Sequence, residues 1–297
     1  MRGSKMKAHA STPRYSLRGA FALLGTILLT AILSIASYDF FMGESSTPEG
    51  VVQITVTSAI LGQDRELIIH LPRNYDSTKH YPVAYVLDGS SLDNPVANAF
   101  DVLSTAGYVP EAIIVGIPNM SARNRQYNLV PPYLRVDNDK PDSPMGEGDK
   151  FLSFMDSELF PFIEKNYPTA PNRLFIGHSR GGLLVMYSLV FKPGMFQARL
   201  CFSTPMWRQD HVMISKTSEF LGTQDSLHTF VYMSVGEMET ENMKSGFIRM
   251  SGVFMEHALY GFKWVGDTTK IANHQTNAQV STARGIARWG EYMKSVN

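Results

Sequence analysis

Residues 174–183 read Leu-Phe-Ile-Gly-His-Ser-Arg-Gly-Gly-Leu. An apolar run enters a Gly-x-Ser-x-Gly pattern and leaves it as a second apolar run. This order predicts a buried strand, a sharp turn with Ser179 at its apex, and a helix behind. In such a turn the serine backbone is strained and its Oγ points away from the sheet. Glycines are expected at the flanks, because a Cβ there would collide with the neighbouring strand or helix. The surroundings agree. Residues 173–176 supply the strand after a Pro171-Asn172 turn, and residues 181–190 supply a helix that stops before Pro193-Gly194. A serine placed this way is a nucleophile that needs a base.

Further strands are expected where apolar residues run without interruption, at 81–87, 112–117, 200–203, 229–235 and 262–265. Residues 51–57 and 66–71, around Gly62-Gln63-Asp64, predict an antiparallel hairpin. Apolar residues at helical spacing predict helices over 151–166, 241–260 and 277–294. Alternating strands and helices imply an α/β fold with a mostly parallel central sheet, helices on both faces and an N-terminal antiparallel hairpin. Ligands of such sheets bind beyond the carboxyl ends of the strands, where Ser179 falls. Residues 119–149 are polar and carry Pro131, Pro132, Pro141 and Pro144. So long a connection is expected to be either a rim or lid over the site or a flexible surface loop.

The N-terminus follows different rules. Arg2, Lys5, Lys7, Arg14 and Arg18 form a basic start, and residues 19–38 carry no charge. Residues 1–42 therefore read as a signal peptide, with Ser34-Ile35-Ala36 as a small-x-small cleavage pattern, or as an N-terminal membrane anchor. Either reading brings this segment to the membrane or the export machinery. Either also puts the rest of the chain outside the cytoplasm: periplasmic, secreted or anchored to the outer face of the inner membrane. Residues 43–50 read as a linker and 51–297 as the catalytic domain. The formal net charge is +0, which gives no electrostatic case for a nucleic-acid partner. The single cysteine, Cys201, lies in an apolar run and is expected to be a buried hydrophobe. No zinc-type Cys/His spacing is present, and no metal or organic cofactor is expected.

Behind a serine of this kind, the acid and then the histidine follow in chain order. Four of the 8 histidines follow Ser179. His211 comes too early, His228 precedes a strand, and His257 lies on a helical pattern. His274 lies in a loop between the last strand and the last helix, where the base is required. The acid should follow strand 229–235. Glu237, Glu239 and Glu241 all qualify; Glu239 is preferred, and Asp267 is an outside candidate. The others would charge the first turn of the next helix. Oxyanion donors are expected from the backbone of Arg180, next to the nucleophile, and from the loop after strand 81–87, assigned to the Ser90 amide. Asp88 is expected to fix that turn.

Residues 81–89 (Tyr-Pro-Val-Ala-Tyr-Val-Leu-Asp-Gly), 115–118 (Val-Gly-Ile-Pro), 177–182 and the His274 loop together resemble the esterase D-like family of α/β hydrolases. That family includes siderophore (enterochelin) esterases, S-formylglutathione hydrolases, feruloyl and acetylxylan esterases and mycolyltransferases. The likeness runs from about residue 51 to the C-terminus. Residues 123–128 resemble the Arg-x-x-Asp-Tyr-Thr-Pro segment of siderophore-esterase-like members, with Gln126 and Asn128 departing from it. This makes Arg123 a candidate pocket residue. Residues 203–207 resemble a segment near the active site of relatives, so Trp207 is either a pocket wall or a core aromatic. The resemblance implies an α/β-hydrolase fold and a serine carboxylic-ester hydrolase. It would work through an acyl-enzyme on a small-molecule ester, with siderophore-type esters or lactones as the first choice. The same residues would serve an acyltransferase, and the same pocket a non-catalytic ligand-binding member.

Overall fold

A computed structural model describes residues 50–296; the N-terminal segment read as a signal or anchor lies outside the described residues. Among the described residues no helix is long and apolar enough to cross a membrane. Eight described strands form one sheet in the order β1-β2-β4-β3-β5-β6-β7-β8. They are β1 Val51–Ser58, β2 Gln63–His70, β3 Tyr81–Leu87, β4 Ile113–Ile117, β5 Thr169–His178, β6 Ala198–Phe202, β7 Ser226–Gly236 and β8 Tyr260–Thr269. β1 and β2 make the expected hairpin, and β2 joins β4 antiparallel. Every other pairing is parallel.

The continuous apolar runs are explained by two cores, one on each face. Tyr85, Leu87, Phe175, Cys201 and Val231 point into one. Ala84, Val86, Leu174, Ile176, Leu200 and Phe230 point into the other. Side chains alternate along a strand, so a strand covered on both faces must be apolar at every position. Helices α1 (Gly89–Thr105) and α8 (Asn277–Val296) cover the second core through Leu92, Val96, Phe100, Ile286 and Trp289. Helices α2 (Ala122–Asn128), α3 (Gly148–Phe154), α4 (Phe160–Asn166), α5 (Arg180–Phe191), α6 (Arg208–Leu221) and α7 (Glu241–Glu256) complete the described set. α3, α4 and α5 bury Phe151, Ile163 and Leu184 in the first core. Cys201 is free and buried, and burial pushes its thiol up.

Several elements differ from the sequence expectation. The helix expected over 151–166 is broken by a π turn at Met155–Leu159. Pro161 has no N–H for the carbonyl four residues back and would clash with it, so the chain widens by one residue there. Pro171-Asn172 is not a turn. It lies inside β5 opposite a register shift in β3, where a bulge tolerates a proline. Helix 241–260 ends at Glu256, because Tyr260 already pairs with Ser226 at the start of β8. Helices α1 and α6 were not expected. α1 carries Pro95 inside it, and α6 begins with Gln209, Asp210 and His211 in the left-handed region, so neither reads as a regular helix. Residues 119–149 are not an open loop. They contain α2, an Arg135–Met145 bridge, and Leu129, Val130 and Leu134 buried in the core.

One buried charge has a structural task. Arg199 on β6 is fully buried, and among the described residues no carboxylate meets it. Its guanidinium donates to Ser188 Oγ, Phe196 O and Thr229 Oγ1, each at 2.9 Å, and to the Ser188 and Pro193 carbonyls. The last two lie at and beyond the C-terminal end of α5, where unsatisfied carbonyls favour a cation. Burial lowers the pKa of Arg199 to about 9, so it stays charged at neutral pH. Arg199→Leu is expected to lower the unfolding free energy by about 2–4 kcal/mol, because several buried acceptors lose their donor. Denaturant unfolding should show an earlier midpoint at unchanged slope; an unchanged midpoint would contradict this role.

Candidate active site

Three loops at the carboxyl ends of neighbouring strands converge. Ser179 ends β5 and caps α5 with φ 56° and ψ −117°. A non-glycine residue there is strained. The Ser179 amide donates to Phe202 O of β6 at 2.9 Å, which holds the turn. A Cβ on Gly177 would stand 2.5 Å from the Gly181 carbonyl carbon, so strand and helix cross there with no room for a side chain. On the other flank the expectation is corrected. A Cβ on Gly181 would meet Leu87 at 3.4 Å, an ordinary contact, whereas one on Gly182 would lie 2.1 Å from Thr204 Oγ1.

His274 and Glu239 reach Ser179 from the loops after β8 and β7. His274 Nε2 lies 3.0 Å from Ser179 Oγ, and His274 Nδ1 lies 2.9 Å from Glu239 Oε2. A carboxylate only accepts, so Nδ1 carries the proton and the Nε2 lone pair faces the serine hydroxyl. The His274 side chain is about one-third exposed; that of Glu239 is fully buried. Glu239 Oε1 accepts from Ser203 Oγ at 2.6 Å and from the Gly236 amide at 2.7 Å. Burial pushes the Glu239 carboxyl up. The hydrogen bonds from His274, Ser203 and Gly236 outweigh it and hold the carboxyl below the ordinary glutamate value.

The other acidic candidates sit elsewhere. Glu241 pairs with Lys244 in the first turn of α7. Asp267 is 3.9 Å from Arg284. Glu237 stitches the two loops together: its Oε2 accepts from the Ile271 amide at 3.1 Å, and its own amide donates to Thr269 O. The Met238 amide adds a bond to Ala272 O at 2.9 Å. Ile271 adopts φ 58°, which costs a β-branched residue more than most. The interlock therefore overrides a local preference two to three residues before His274.

His178, Arg125 and Asn119, not assigned a role in the sequence, complete the surroundings together with the expected Asp88, Ser90 and Arg180. His178 Nε2 donates to the His274 carbonyl at 2.7 Å. Burial, and then the neighbouring His274, push the His178 imidazole down, in keeping with a neutral ring that ties the His274 loop to the elbow. Asp88 adopts φ 55° as it caps α1. Arg125 donates to both its oxygens, Nε at 2.6 Å and Nη2 at 2.7 Å, and Asn119 also donates to it. A bidentate arginine fixes a carboxylate's direction as well as its place. Ser90 and Arg180 each lie in the first turn of a helix, where backbone N–H groups have no intrahelical partner. The two turns adjoin, since the Gly181 position faces Leu87 and Asp88.

A concavity of about 280 Å³ opens beside the Ser90 turn, lined by Ser90, Asn119, Arg125, His178 and Gln279 among others. Arg123 does not share it. Its guanidinium lies over the Tyr127 ring and borders a separate hollow with Gln63, Glu147 and Lys150. On so short a helix, residues two apart face different ways, and Arg125 is the one brought to the site. Trp207 is half-buried and donates through Nε1 to Met243 Sδ of α7 at 3.1 Å. Its polar contact is thus with a core-facing methionine. Among the described residues no cluster of His, Cys, Asp and Glu could hold a metal ion.

Comparison with known proteins agrees with this architecture. The ferri-bacillibactin esterase BesA of Bacillus subtilis is 30% identical over 176 residues, 54% of this chain and 60% of the relative. The siderophore triacetylfusarinine C esterase of Aspergillus fumigatus is 25% identical, over 50% of this chain and 52% of the relative. The chain thus matches little more than half the length of these curated relatives. Two solved structures superpose more widely. The BES protein from Bacillus cereus gives a TM-score of 0.72 at 25% identity, covering 80% of this chain and 95% of that one. An IroE-like serine hydrolase from Shewanella oneidensis gives 0.75 at 25% identity, covering 81% and 80%. The sheet order and these neighbours define an α/β-hydrolase fold. The Esterase family model, described as "Putative esterase", matches residues 58–249, about two thirds of the sequence. The chain belongs to the Esterase family, and its likeness is to the siderophore esterases within it.

Proposed function

We propose that this protein is a serine carboxylic-ester hydrolase acting on siderophore-type esters or lactones. The observation that carries the reading is the unbroken hydrogen-bond line from Ser179 Oγ through His274 to the buried Glu239. In this reading Ser179 Oγ attacks the ester carbonyl while His274 Nε2 takes its proton. Glu239 keeps the imidazole in the Nδ1–H tautomer and stabilises the imidazolium that forms. The carbonyl oxygen gains negative charge, which the Arg180 and Ser90 amides receive. His274 returns the proton to the departing alcohol, leaving an acyl-enzyme. Water then attacks the acyl carbon, with His274 again as base, and the acid leaves.

Two features support the substrate class. The relatives named above are esterases of ferri-bacillibactin and triacetylfusarinine C. The concavity beside Ser90 is lined mostly by hydroxyl, amide and charged groups, which suits a polar, amide-rich substrate better than an alkyl chain. The basic start and the uncharged run of residues 19–38 support export of the catalytic body.

Turnover of p-nitrophenyl acetate is expected from the body beginning near residue 51. Ser179→Ala should reduce kcat by about 10⁴-fold or more, with the fold retained. A catecholate or hydroxamate siderophore lactone should be cleaved with a higher kcat/KM than p-nitrophenyl octanoate. Equal activity of Ser179→Ala and the parent would overturn the nucleophile, and a preference for the octanoate would overturn the substrate class.

Acid stability gives an independent check on Glu239. A carboxyl whose folded value is depressed contributes stability above its unfolded value and loses it as pH falls through the folded one. The loss should therefore begin near the ordinary glutamate value of 4.5 and continue below it. Glu239→Gln should lower the thermal midpoint at neutral pH, and the gap to the parent should shrink as pH falls below that value. A gap that stays constant with pH would show that the buried carboxylate is not the source.

A further inference from the structure

Behind Glu239 lies a polar chain that the reaction as described does not use. Thr269 at the end of β8, Ser281 and Asn277 of α8, Ser203 after β6 and Ser234 of β7 are all buried. The Thr269 and Ser281 hydroxyls are 2.6 Å apart, and Ser281 Oγ donates to Asn277 Oδ1 at 2.8 Å. Asn277 Nδ2 donates to Ser203 Oγ at 2.9 Å and to Ser234 Oγ at 3.0 Å. Ser203 Oγ donates to Glu239 Oε1 at 2.6 Å. The carboxylate only accepts and the Asn277 amide nitrogen only donates, so the direction of each hydrogen bond is set. Thr269 gives to Ser281, Ser281 to Asn277, Asn277 to Ser203, and Ser203 to Glu239.

Ser203 has a second distinguishing property. It adopts φ 49°, a left-handed backbone that glycine would take without strain, yet it is fully buried with its side chain on the carboxylate. Its backbone is held by its own amide donating to Ser234 O at 2.8 Å. Strained backbone at a site points to a demand that local preference does not meet. Asn277 is also the first residue of α8, three places after His274. One side chain therefore links the helix behind the base to the group that holds the acid.

We propose that Ser203 is a positioning residue: oriented by Asn277, its hydroxyl holds Oε1 of Glu239 and reserves Oε2 for His274. This rests on the reading of Glu239 and His274 as acid and base. A carboxylate held at one oxygen only could rotate about its last bond and turn its charge away from the imidazole. Ser203 and the Gly236 amide remove that freedom, so the imidazole is already aligned when substrate arrives.

The test pairs two variants. Ser203→Gly removes the hydroxyl and suits the backbone; Ser203→Ala removes the hydroxyl and keeps the strain. Both are expected to lower kcat by about 10- to 100-fold with KM unchanged, the range spanned by one hydrogen bond to a charged group. Both should move the His274 Nδ1–H proton resonance upfield from its position in the parent. Both should also lower the thermal midpoint, Ser203→Ala more than Ser203→Gly, because glycine relieves the left-handed backbone while both lose the buried donor. Kinetic loss that tracks the midpoint, smaller in glycine than in alanine, would make Ser203 merely structural and overturn the proposal. So would a resonance and kcat unchanged in both. The resonance is read without substrate, so an inactive parent would overturn the esterase reading while the position of the imidazole proton still decides this one.

Discussion

The carboxylate of Glu239 is out of water, and a buried charge is stable only where hydrogen-bond donors replace its hydration. Here the donors are the His274 ring, the Ser203 hydroxyl and the Gly236 amide. Each comes from a different part of the chain: the loop after β8, the loop after β6, and the end of β7. The charge can form only when all three loops are in place. Conversely, its formation fixes the imidazole that faces Ser179. The Glu237 contact to the Ile271 amide and the His178 bond to the His274 carbonyl serve the same end from the backbone side. Much of the irregular backbone in this region, including the left-handed Ser203 and Ile271, is the cost of bringing these donors to one carboxylate.

The opposite side of the site is organised by helix ends. Ser179 and Asp88 cap α5 and α1 with positive φ, and the first turns of the two helices adjoin. Unpaired N–H groups and the positive end of the helix dipole favour an oxygen that is gaining charge. Asp88 itself is kept from that space by Arg125 and Asn119, which take up its carboxylate. In the proposed mechanism a negative side chain beside the oxyanion is tolerable only when it is held elsewhere and neutralised. The Arg125 pair does both, which gives α2 and the packed segment after it a reason to be ordered.

Legibility in the sequence followed the physical range of each signal. Strands buried on both faces announce themselves by unbroken apolar runs, so β3 was read to its ends and β4 to within a residue. The elbow was visible because its strand, glycines and helix are contiguous. His274 and Glu239 could be placed because they must follow particular strands, although three glutamates stood within five residues and only their burial and partners in the fold separate them. Ser203, Asn277, His178 and Arg125 were not assigned roles. Each acts through a contact between residues 36 to 96 positions apart in the chain, or through a partner that itself depends on such a contact. Arg123 was singled out by resemblance alone, and the helix brings Arg125 to the site instead. Elements built against local preference, such as the proline-containing α1 and the π turn before Pro161, leave no periodic trace.

The account stands or falls on Ser179 being a nucleophile activated by its neighbours. The direct measurement is reaction of the full-length protein with a fluorophosphonate, followed by intact mass and peptide mapping. One phosphonyl group per chain is predicted, located on Ser179, with the rate of labelling greatly reduced in His274→Ala. No adduct, an adduct on another serine, or labelling at an unchanged rate without His274 would contradict the account.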